Sequence, residues 1–157
     1  MLNITIINRQ KRYKVNQLPI RKLAKFLLEK SGKRGGIIWG DVSVVLVEDQ
    51  ESRDVNRAHL GHDYATDVIS FNFDPMPGDT ENEWHGEIVI NVDFVCRTGP
   101  TYKGPNHELA LYLAHGCDHL SGADDNTSQR RQQMRHRELR WLRGAKQQGL
   151  NLTLLTA

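Results

Sequence analysis

The sequence predicts a small α/β (α+β) domain with about five helices, because strand-like and helix-like stretches alternate along a chain of 157 residues. Four stretches have the β-branched content or the alternation of strands: residues 2–7, 42–47, 66–73 and 88–90. Between and after them, apolar residues recur every three or four positions, the spacing of one helix face. The chain is 38% apolar and long enough to bury one core. We therefore expect a single domain over residues 1–150, followed by a weakly ordered tail at residues 151–157.

The first half of the chain contains three of these strands and two helices. Asn16 favours the position before a helix, and the apolar residues that follow it have helical spacing. We expect this helix to end in a basic, glycine-rich loop at residues 30–36. The continuous apolar run at residues 42–47 is typical of a strand buried on both faces. Asp49 then caps a short helix that closes before Gly61.

The second half contains the fourth strand and three helices. A short helical turn begins at Asp93, and Asn106 is predicted to cap a longer helix. Asn126 and Gln129 resemble a capping box at the start of the last helix. That helix carries six arginines around an apolar strip. The strip consists of Met134, Trp141, Leu142 and Ala145.

The formal net charge of +2 conceals a sorting of charges along the chain. Residues 1–34 carry ten Lys and Arg against one acidic residue, and residues 35–100 carry three against thirteen. Residues 101–157 carry eight against five, so basic segments flank an acidic middle. This asymmetry suits a polyanionic partner such as a nucleic acid, although a basic helix face is often merely solvated.

Cysteine content and hydropathy exclude two classes of protein. Cys96 and Cys117 are too few for a disulfide framework and lack C-x-x-C spacing, so we expect reduced thiols in the core. No apolar run approaches the roughly 20 residues of a membrane span. Because residues 1–10 also lack the apolar stretch of a signal peptide, we expect a cytoplasmic protein with no membrane partner.

Residues 115–125 have the pattern of a metal site. His115 and His119 are four residues apart and therefore project from one helix face, where they supply two ligands for a divalent ion. Gly122 permits a left-handed conformation, which lets the chain reverse and bring Asp125 to the same point. Three protein ligands leave one position for water, as in catalytic zinc sites. A histidine pair is also common on a solvated helix face, but the added Gly122 and Asp125 favour the metal site.

The stretch from His115 to Asp125 resembles the signature of the YbeY family of bacterial rRNA maturation factors, whose usual form is H-G-x-L-H-L-x-G-Y-D-H. Asn56 and residues 66–71 resemble the central block N-x-x-x-R-G-x-D-x-x-T-D-V-L-S-F of that family. Residues 86–90 resemble its G-D-I-x-I strand, and order, spacing and length match across nearly the whole chain. The resemblance implies a mixed four-stranded sheet, helices packed on it and a zinc ion at a helix C-terminal end.

Four departures from the family pattern bear on the function. Asp125 replaces the third histidine, which keeps three ligands but makes the site harder. The central arginine of the family is Leu60 here, although Arg57 lies one helical turn earlier. Glu87 stands where the family has Asp, and Asp118 replaces a usual Leu.

The resemblance implies a zinc-dependent endoribonuclease that cuts single-stranded RNA in rRNA maturation, at the 3′ end of small-subunit rRNA, and in ribosome quality control. RNA and the small ribosomal subunit would be its partners. His115, His119 and Asp125 would hold one Zn²⁺ that polarises a phosphoryl oxygen, activates a water, or both. Asp124 is either a base, a support for a ligand or an ordinary helix-cap neighbour. Arg57 either holds a phosphate or faces solvent.

Two other functions remain open from the sequence. The ligand spacing also occurs in metzincin-type peptidases, which carry Glu directly after the first His. This chain has Gly116 there and lacks a general base that contributes about 10²–10⁴ in rate. The third function is a non-catalytic, ribosome-associated binding module in which the metal only fixes the helix end.

Overall fold

The computed structural model describes residues 2–80, 83–98 and 103–156. Strands and helices are interspersed through the first part of these residues, and three helices follow one another near the end. In chain order the elements are β1 (Asn3–Asn8), β2 (Lys14–Val15), α1 (Gln17–Gly35), β3 (Ile38–Val47), α2 (Asp49–Leu60), β4 (Val68–Phe73), β5 (Glu83–Asn91), α3 (Val92–Thr98), α4 (Pro105–Leu120), α5 (Ser128–Gln147) and β6 (Leu155–Thr156).

A mixed four-stranded sheet forms the centre of the fold, in the order β1-β3-β5-β4. β1, β3 and β5 are parallel, and β4 runs antiparallel to β5 at the edge. Parallel neighbours need a crossover connection, which α1 supplies between β1 and β3. The sheet and the five helices confirm the predicted α+β fold class.

The two faces of the sheet are covered unequally. The larger core cluster joins one face to α1, α4 and α5, whereas the smaller cluster lies under α2. α4 comes very close to β5 because Gly116 has no side chain; a Cβ there would lie 2.7 Å from Ile88 Cγ2. Since that face of α4 is buried, His115 and His119 remain on a face that is only partly covered.

The helix α1 is longer than predicted. It continues through the basic stretch to Gly35 instead of ending near residue 30, and Gly36, with φ of 67°, terminates it. The helix persists because Ser31 and Gly32 are buried. A Cβ at residue 32 would meet the carbonyl oxygen of Ile37 at 2.8 Å, so the last turns pack tightly on the chain that follows.

Two predicted caps make other contacts. Asn16 occupies the N-cap position of α1, as predicted, but its side chain makes no capping bond, and its amide donates instead to the carbonyl of Thr153 at 2.7 Å. Asn106 lies inside α4, after Pro105, and its Oδ1 accepts from the backbone N–H of Leu154 at 2.7 Å. Both side chains therefore hold the C-terminal segment, a long-range role that local sequence did not indicate.

Two other helices begin one residue away from the predicted cap. Asp49 is the first residue of α2 rather than its cap, and its carboxylate accepts from Asn91 and Arg97. At α5 the cap is Thr127 rather than Asn126, and its hydroxyl accepts from the backbone N–H of Arg130 at 3.1 Å. The helices themselves are confirmed, and only their first residues differ.

The predicted weak order of the tail is wrong for residues 151–156. Leu154 and Leu155 are buried in the core, and β6 pairs antiparallel with β2. The backbone N–H of Asn16 also donates to the carbonyl of Leu154 at 2.8 Å. The tail is ordered because its leucines reach the core; Ala157 lies outside the described residues.

Only one of the two cysteines is fully buried in the core, where both were predicted. Both thiols are free; Cys117 is fully buried, whereas Cys96 is half-buried. Burial raises the pKa of the Cys117 thiol, which keeps it protonated and unreactive. Within the part of the chain that is described, no helix combines the length and apolar content needed to cross a membrane.

Candidate metal centre

The C-terminal end of α4 brings three candidate ligand atoms together. The Nε2 atoms of His115 and His119 are 3.0 Å apart. Oδ2 of Asp125 lies 3.8 Å from the first and 3.5 Å from the second. Three donors about 2.0–2.1 Å from one ion in tetrahedral geometry are about 3.3–3.4 Å apart, and the observed distances bracket that value. These three residues therefore fit one metal ion.

A tight reversal after α4 delivers the third ligand. The backbone N–H of Gly122 donates to the carbonyl of His119 at 3.0 Å, and that of Ala123 donates to Asp118 at 3.1 Å. Gly122 has φ of 97°, which confirms the predicted left-handed conformation. Asp125 then lies just before α5, whose cap Thr127 anchors the backbone.

The outer ring nitrogens of both histidines are held by protein groups. Nδ1 of His119 donates to the carbonyl of Ala123 at 3.1 Å, which places the ring proton on Nδ1. Nδ1 of His115 lies 2.8 Å from Oε2 of Glu138, a buried carboxylate on α5. In both rings Nε2 is the nitrogen left for a metal, and outer partners of this kind fix ring orientation in metal sites.

Glu138 is the main residue that the sequence did not reveal. It is 1% exposed and lies in the apolar strip of α5, between Met134 and Leu142. A charged residue on an otherwise apolar helix face was the available signal, but its partner is 23 residues away in sequence. Its role is to orient His115 from the far side of the ring.

Burial and negative charge act together on this histidine–carboxylate pair. Burial raises the pKa of Glu138, while the hydrogen bond from His115 opposes that rise. Burial also disfavours the charged imidazolium of His115, but the hydrogen bond and charge of Glu138 outweigh it, with smaller contributions from Asp125 and Asp67, so the pKa of His115 is raised. The result is an electronegative site suited to a cation.

β4 fixes the helix that carries the histidines. Oγ of Ser70 donates to the carbonyl of Gly116 at 3.2 Å, and Nδ2 of Asn72 donates to the carbonyl of Leu120 at 2.5 Å. The last carbonyls of a helix have no partner inside it, so the amide of Asn72 satisfies one of them. Ser70, within the T-D-V-I-S-F stretch, and Asn72, just after it, therefore position the helix that carries the histidine ligands.

Asp118 explains one departure from the family pattern. It is fully buried and accepts from Nε of Arg34 at 3.2 Å and from Nη2 of Arg137 at 3.0 Å. Arg34 also donates to the carbonyl of Ser121 at 2.9 Å. One carboxylate thereby ties the ends of α1 and α4 to the middle of α5 next to His119, and removing it would leave two arginines without their shared partner.

Arg57 lies on the exposed surface of α2. Among the described residues its ion pairs are with Asp54 at 3.3 Å and Asp63 at 3.7 Å rather than with the ligand group. Leu60, at the position of the family arginine, is half exposed on the same helix. The proposed phosphate role of Arg57 stays a prediction.

Asp124 lies beside the ligand group and makes local contacts. Its Oδ1 accepts from the backbone N–H of Asn126 at 3.0 Å, and its Oδ2 lies 3.4 Å from Nη1 of Arg130. These bonds support the turn into α5 and hence the backbone of Asp125.

Glu87 does not face the candidate ligands. It alternates with Ile88 on β5 and so points to the sheet face covered by α2.

Comparison with known proteins finds relatives that match most of this chain. The family model Endoribonuclease YbeY matches residues 5–146. Endoribonuclease YbeY of Alkaliphilus metalliredigens is 31% identical over 144 residues, which cover 87% of this chain and 91% of that protein. The Parabacteroides distasonis protein of the same name is 35% identical over 134 residues, 80% of this chain and 87% of the relative.

A solved structure shows the same fold. The solution structure of a Thermotoga maritima protein aligns with a TM-score of 0.56 at 23% identity, over 89% of this chain and 87% of that one. At this identity the likeness extends to the fold alone. The family assignment rests on the sequence match, which spans most of the chain and includes all three candidate ligands. This chain belongs to the endoribonuclease YbeY family.

Proposed function

We propose that this protein is a zinc-dependent endoribonuclease that cuts single-stranded RNA during rRNA maturation, at the 3′ end of small-subunit rRNA, and in ribosome quality control. The observation that carries the proposal is the converging group His115, His119 and Asp125 in a chain whose relatives are named endoribonucleases. Two imidazoles and one carboxylate are a common ligand set of catalytic zinc, and one ion fits the group. The small ribosomal subunit as partner and the cytoplasm as location follow from the family resemblance.

The residues of the chain prepare this site for phosphodiester hydrolysis. When bound, a zinc ion supplies a Lewis acid for the phosphoryl oxygen and lowers the pKa of water. Glu138 and the carbonyl of Ala123 keep both Nε2 atoms directed at the binding point. Asp118, with its two arginines, fastens the ends of α1 and α4 to the middle of α5, so the three ligands need little rearrangement.

Asp124 and Arg57 are the further participants that we propose. Asp124 either accepts a proton from the attacking nucleophile or supports Asp125, and its bond from the backbone N–H of Asn126 favours the supporting role. Arg57 offers a planar fork that can hold a phosphate with two hydrogen bonds. Arg57 now forms surface ion pairs with Asp54 and Asp63. Such pairs are weak, so a phosphate can replace these carboxylates.

The geometry at Gly116 disfavours the peptidase alternative. Metzincin-type peptidases carry their general base at this position. Here a Cβ on residue 116 would point at Ile88, 2.7 Å away, and at Val68, 3.4 Å away. The position faces the sheet, so the close packing of α4 on β5 requires glycine there and leaves no room for that base.

Side-by-side cleavage assays test the proposal. The purified protein is incubated with single-stranded RNA or with casein, before and after a chelator, and again after zinc is restored. We expect zinc-dependent RNA cleavage, intact casein and close to one zinc per chain. The double variant His115→Ala/His119→Ala, purified in the same way, controls for contaminating ribonuclease and should be inactive.

The other possible results of these assays would support a different function or contradict the metal dependence. Casein cleavage without RNA cleavage supports the peptidase. RNA binding without cleavage, in protein that holds one zinc, supports the binding module. RNA cleavage that survives the chelator contradicts the proposed metal dependence.

A further inference from the structure

A cleft of about 740 Å³ lies at the end of the α4–α5 pair that is remote from the candidate ligands. The two helices run antiparallel: His115 near the end of α4 contacts Glu138 in the middle of α5. His107, near the start of α4, and Arg143, near the end of α5, line the cleft. Its volume is in the range of small-molecule sites.

The C-terminal segment forms the third wall of this cleft. Gly149, with φ of 81°, turns the chain after α5, and the backbone N–H of Leu150 donates to the carbonyl of Ala145 at 3.1 Å. Residues 150–152 then line the cleft. The side chain of Asn106 fastens the segment just beyond them, at Leu154. The cleft is therefore part of the folded structure and depends on the ordered tail.

The lining combines an apolar floor with a cationic rim. Leu139, Leu142 and Leu150 contribute to the floor, and Lys103, Arg143 and Lys146 contribute to the rim. No carboxylate lines the cleft among the residues that the structure describes. Three cations that converge without an acidic residue form a site that attracts an anion.

Two histidines, His107 and His136, also line the cleft. Burial is the main reason that the pKa of His107 is lowered, and the charge of Lys103 lowers it further. A second cleft adjoins the first, shares Arg143 with it, and is also lined by Lys30 and Arg140. The cationic surface therefore continues from one cleft to the next, as a polyanion would require.

We propose that this cleft is a nucleotide subsite for single-stranded RNA, in which Arg143 and Lys146 meet backbone phosphates and one base lies on the leucine floor. The proposal rests on the proposed ribonuclease function. Phosphate contacts from Arg and Lys position a strand, while an unpaired base can bury its ring on apolar side chains. An anion with a flat, largely apolar ring matches both parts of the lining.

The position of the cleft suits a role in holding substrate. Glu138 and Lys146 are eight residues apart on α5, which is about 12 Å along the helix axis. A strand that lies along α5 can therefore occupy the cleft and reach the candidate metal centre at once. Binding energy gained at the cleft would place the reactive phosphate without adding to the chemistry itself.

Equilibrium binding of a fluorescent 12-nucleotide RNA by fluorescence anisotropy, in a series of salt concentrations, tests the subsite. The double variant Arg143→Ala/Lys146→Ala is compared with Lys22→Ala/Lys25→Ala, which removes two exposed cations from α1. We expect the cleft variant to raise Kd about tenfold and to lower the salt slope by about 1.4, since each phosphate contact contributes about 0.7. The α1 variant should change Kd less than about threefold.

Two further measurements define what the cleft binds. An RNA of the same length with abasic sites should bind the parent protein more weakly, because the leucine floor then has no ring to cover. Equal affinity for the two RNAs would overturn the base-binding part of the proposal. The charge-preserving variant Arg143→Lys/Lys146→Arg should keep the salt slope of the parent, and loss of that slope would contradict the assigned phosphate contacts.

Failure of the cleft and failure of the ribonuclease proposal have different signatures. Zinc-dependent cleavage by the parent, with unchanged RNA affinity in Arg143→Ala/Lys146→Ala, overturns the cleft and leaves the ribonuclease standing. If the parent never cuts RNA but binds it more tightly than Arg143→Ala/Lys146→Ala does, the cleft proposal stands and the ribonuclease proposal is overturned. Zinc content should be the same in all variants, and a parent that binds no RNA overturns the cleft outright.

Discussion

Two histidines in this protein contact carboxylates, but they differ in whether a ring nitrogen is left for a metal. Nδ1 of His115 is held by Glu138 at 2.8 Å, and its Nε2 faces His119 and Asp125. His85, on β5, has no such nitrogen left. Its Nε2 lies 2.7 Å from Oδ2 of Asp79, and its Nδ1 accepts from the backbone N–H of Asp41 at 2.8 Å.

The difference lies in the nitrogen that remains free, because both rings are partly buried and both lie near two acidic residues. His85 uses both nitrogens to fasten the turn at Asp79 to β3. A Cβ on Gly40 would come within 2.5 Å of its ring, so the ring is closely enclosed. A histidine next to carboxylates therefore indicates a metal site only where a second ligand faces the unused nitrogen.

The strongest test of the comparison removes the third ligand. Asp125→Ala should weaken zinc binding beyond the roughly 10–100-fold cost of losing an outer partner, because it removes one of three protein ligands. Asp125→His should keep or tighten binding, since imidazole is a softer ligand. Competition with a chelating dye measures both. Asp54→Ala, which removes an exposed carboxylate from α2, is the control. Parent-like affinity in Asp125→Ala would refute the ligand assignment.

The next largest effect is expected from the outer carboxylate. Glu138→Gln should lower zinc affinity by about 10–100-fold, because the amide no longer provides the charge that orients and polarises His115. The same substitution in the other pair, Asp79→Asn, should leave zinc binding unchanged. Equal losses in the two variants would show that the effect comes from general destabilisation.

Substitution of Arg57 tests whether a residue outside the two histidine–carboxylate pairs contributes to the reaction. Arg57→Ala should keep its zinc but slow single-turnover RNA cleavage about tenfold, which corresponds to roughly 1.4 kcal/mol in the transition state. The control is Arg53→Ala, one turn earlier on α2, whose guanidinium pairs with Asp63 at 2.9 Å. An unchanged cleavage rate in Arg57→Ala would identify a solvent-facing arginine.

The smallest effect on zinc affinity is expected from substitution of His85. His85→Ala should leave zinc affinity unchanged but lower the free energy of unfolding by about 1–2 kcal/mol, because two hydrogen bonds are lost. The pKa of Asp79, held low mainly by the hydrogen bond from His85, should also rise. Urea denaturation measures the first effect and NMR titration the second. Loss of zinc from this variant would contradict the distinction between the two histidines.

Local spacing predicted the parts of the site that lie on one stretch of chain. His115, His119, Gly122 and Asp125 are within eleven residues, so helix geometry and one turn bring them together. Glu138 could not be paired with His115 in advance, because the contact depends on how α4 and α5 pack. Its position in an apolar strip was the only local signal.

The same distinction between local and long-range contacts explains the errors in the fold. The order and type of the five helices and of the strands in the four-stranded sheet follow from hydrophobic periodicity, which is local. Asn106 has the residue type of a cap, yet it binds the backbone of Leu154, 48 residues away. Burial of the tail likewise depends on pairing with β2, which nothing near residue 155 indicates.

The pairing of β2 with β6 also has a consequence for synthesis of the protein. Lys14 pairs with Thr156, and Val15 pairs with Leu155. At about 5–20 residues per second, translation takes about 7–28 s to advance from one strand to the other. All three candidate ligands and Glu138 are made before β6, so the nascent chain contains the complete ligand group while β2 still lacks its partner. β2 can therefore pair with β6 only after the candidate ligands and the whole of α5 have been synthesised.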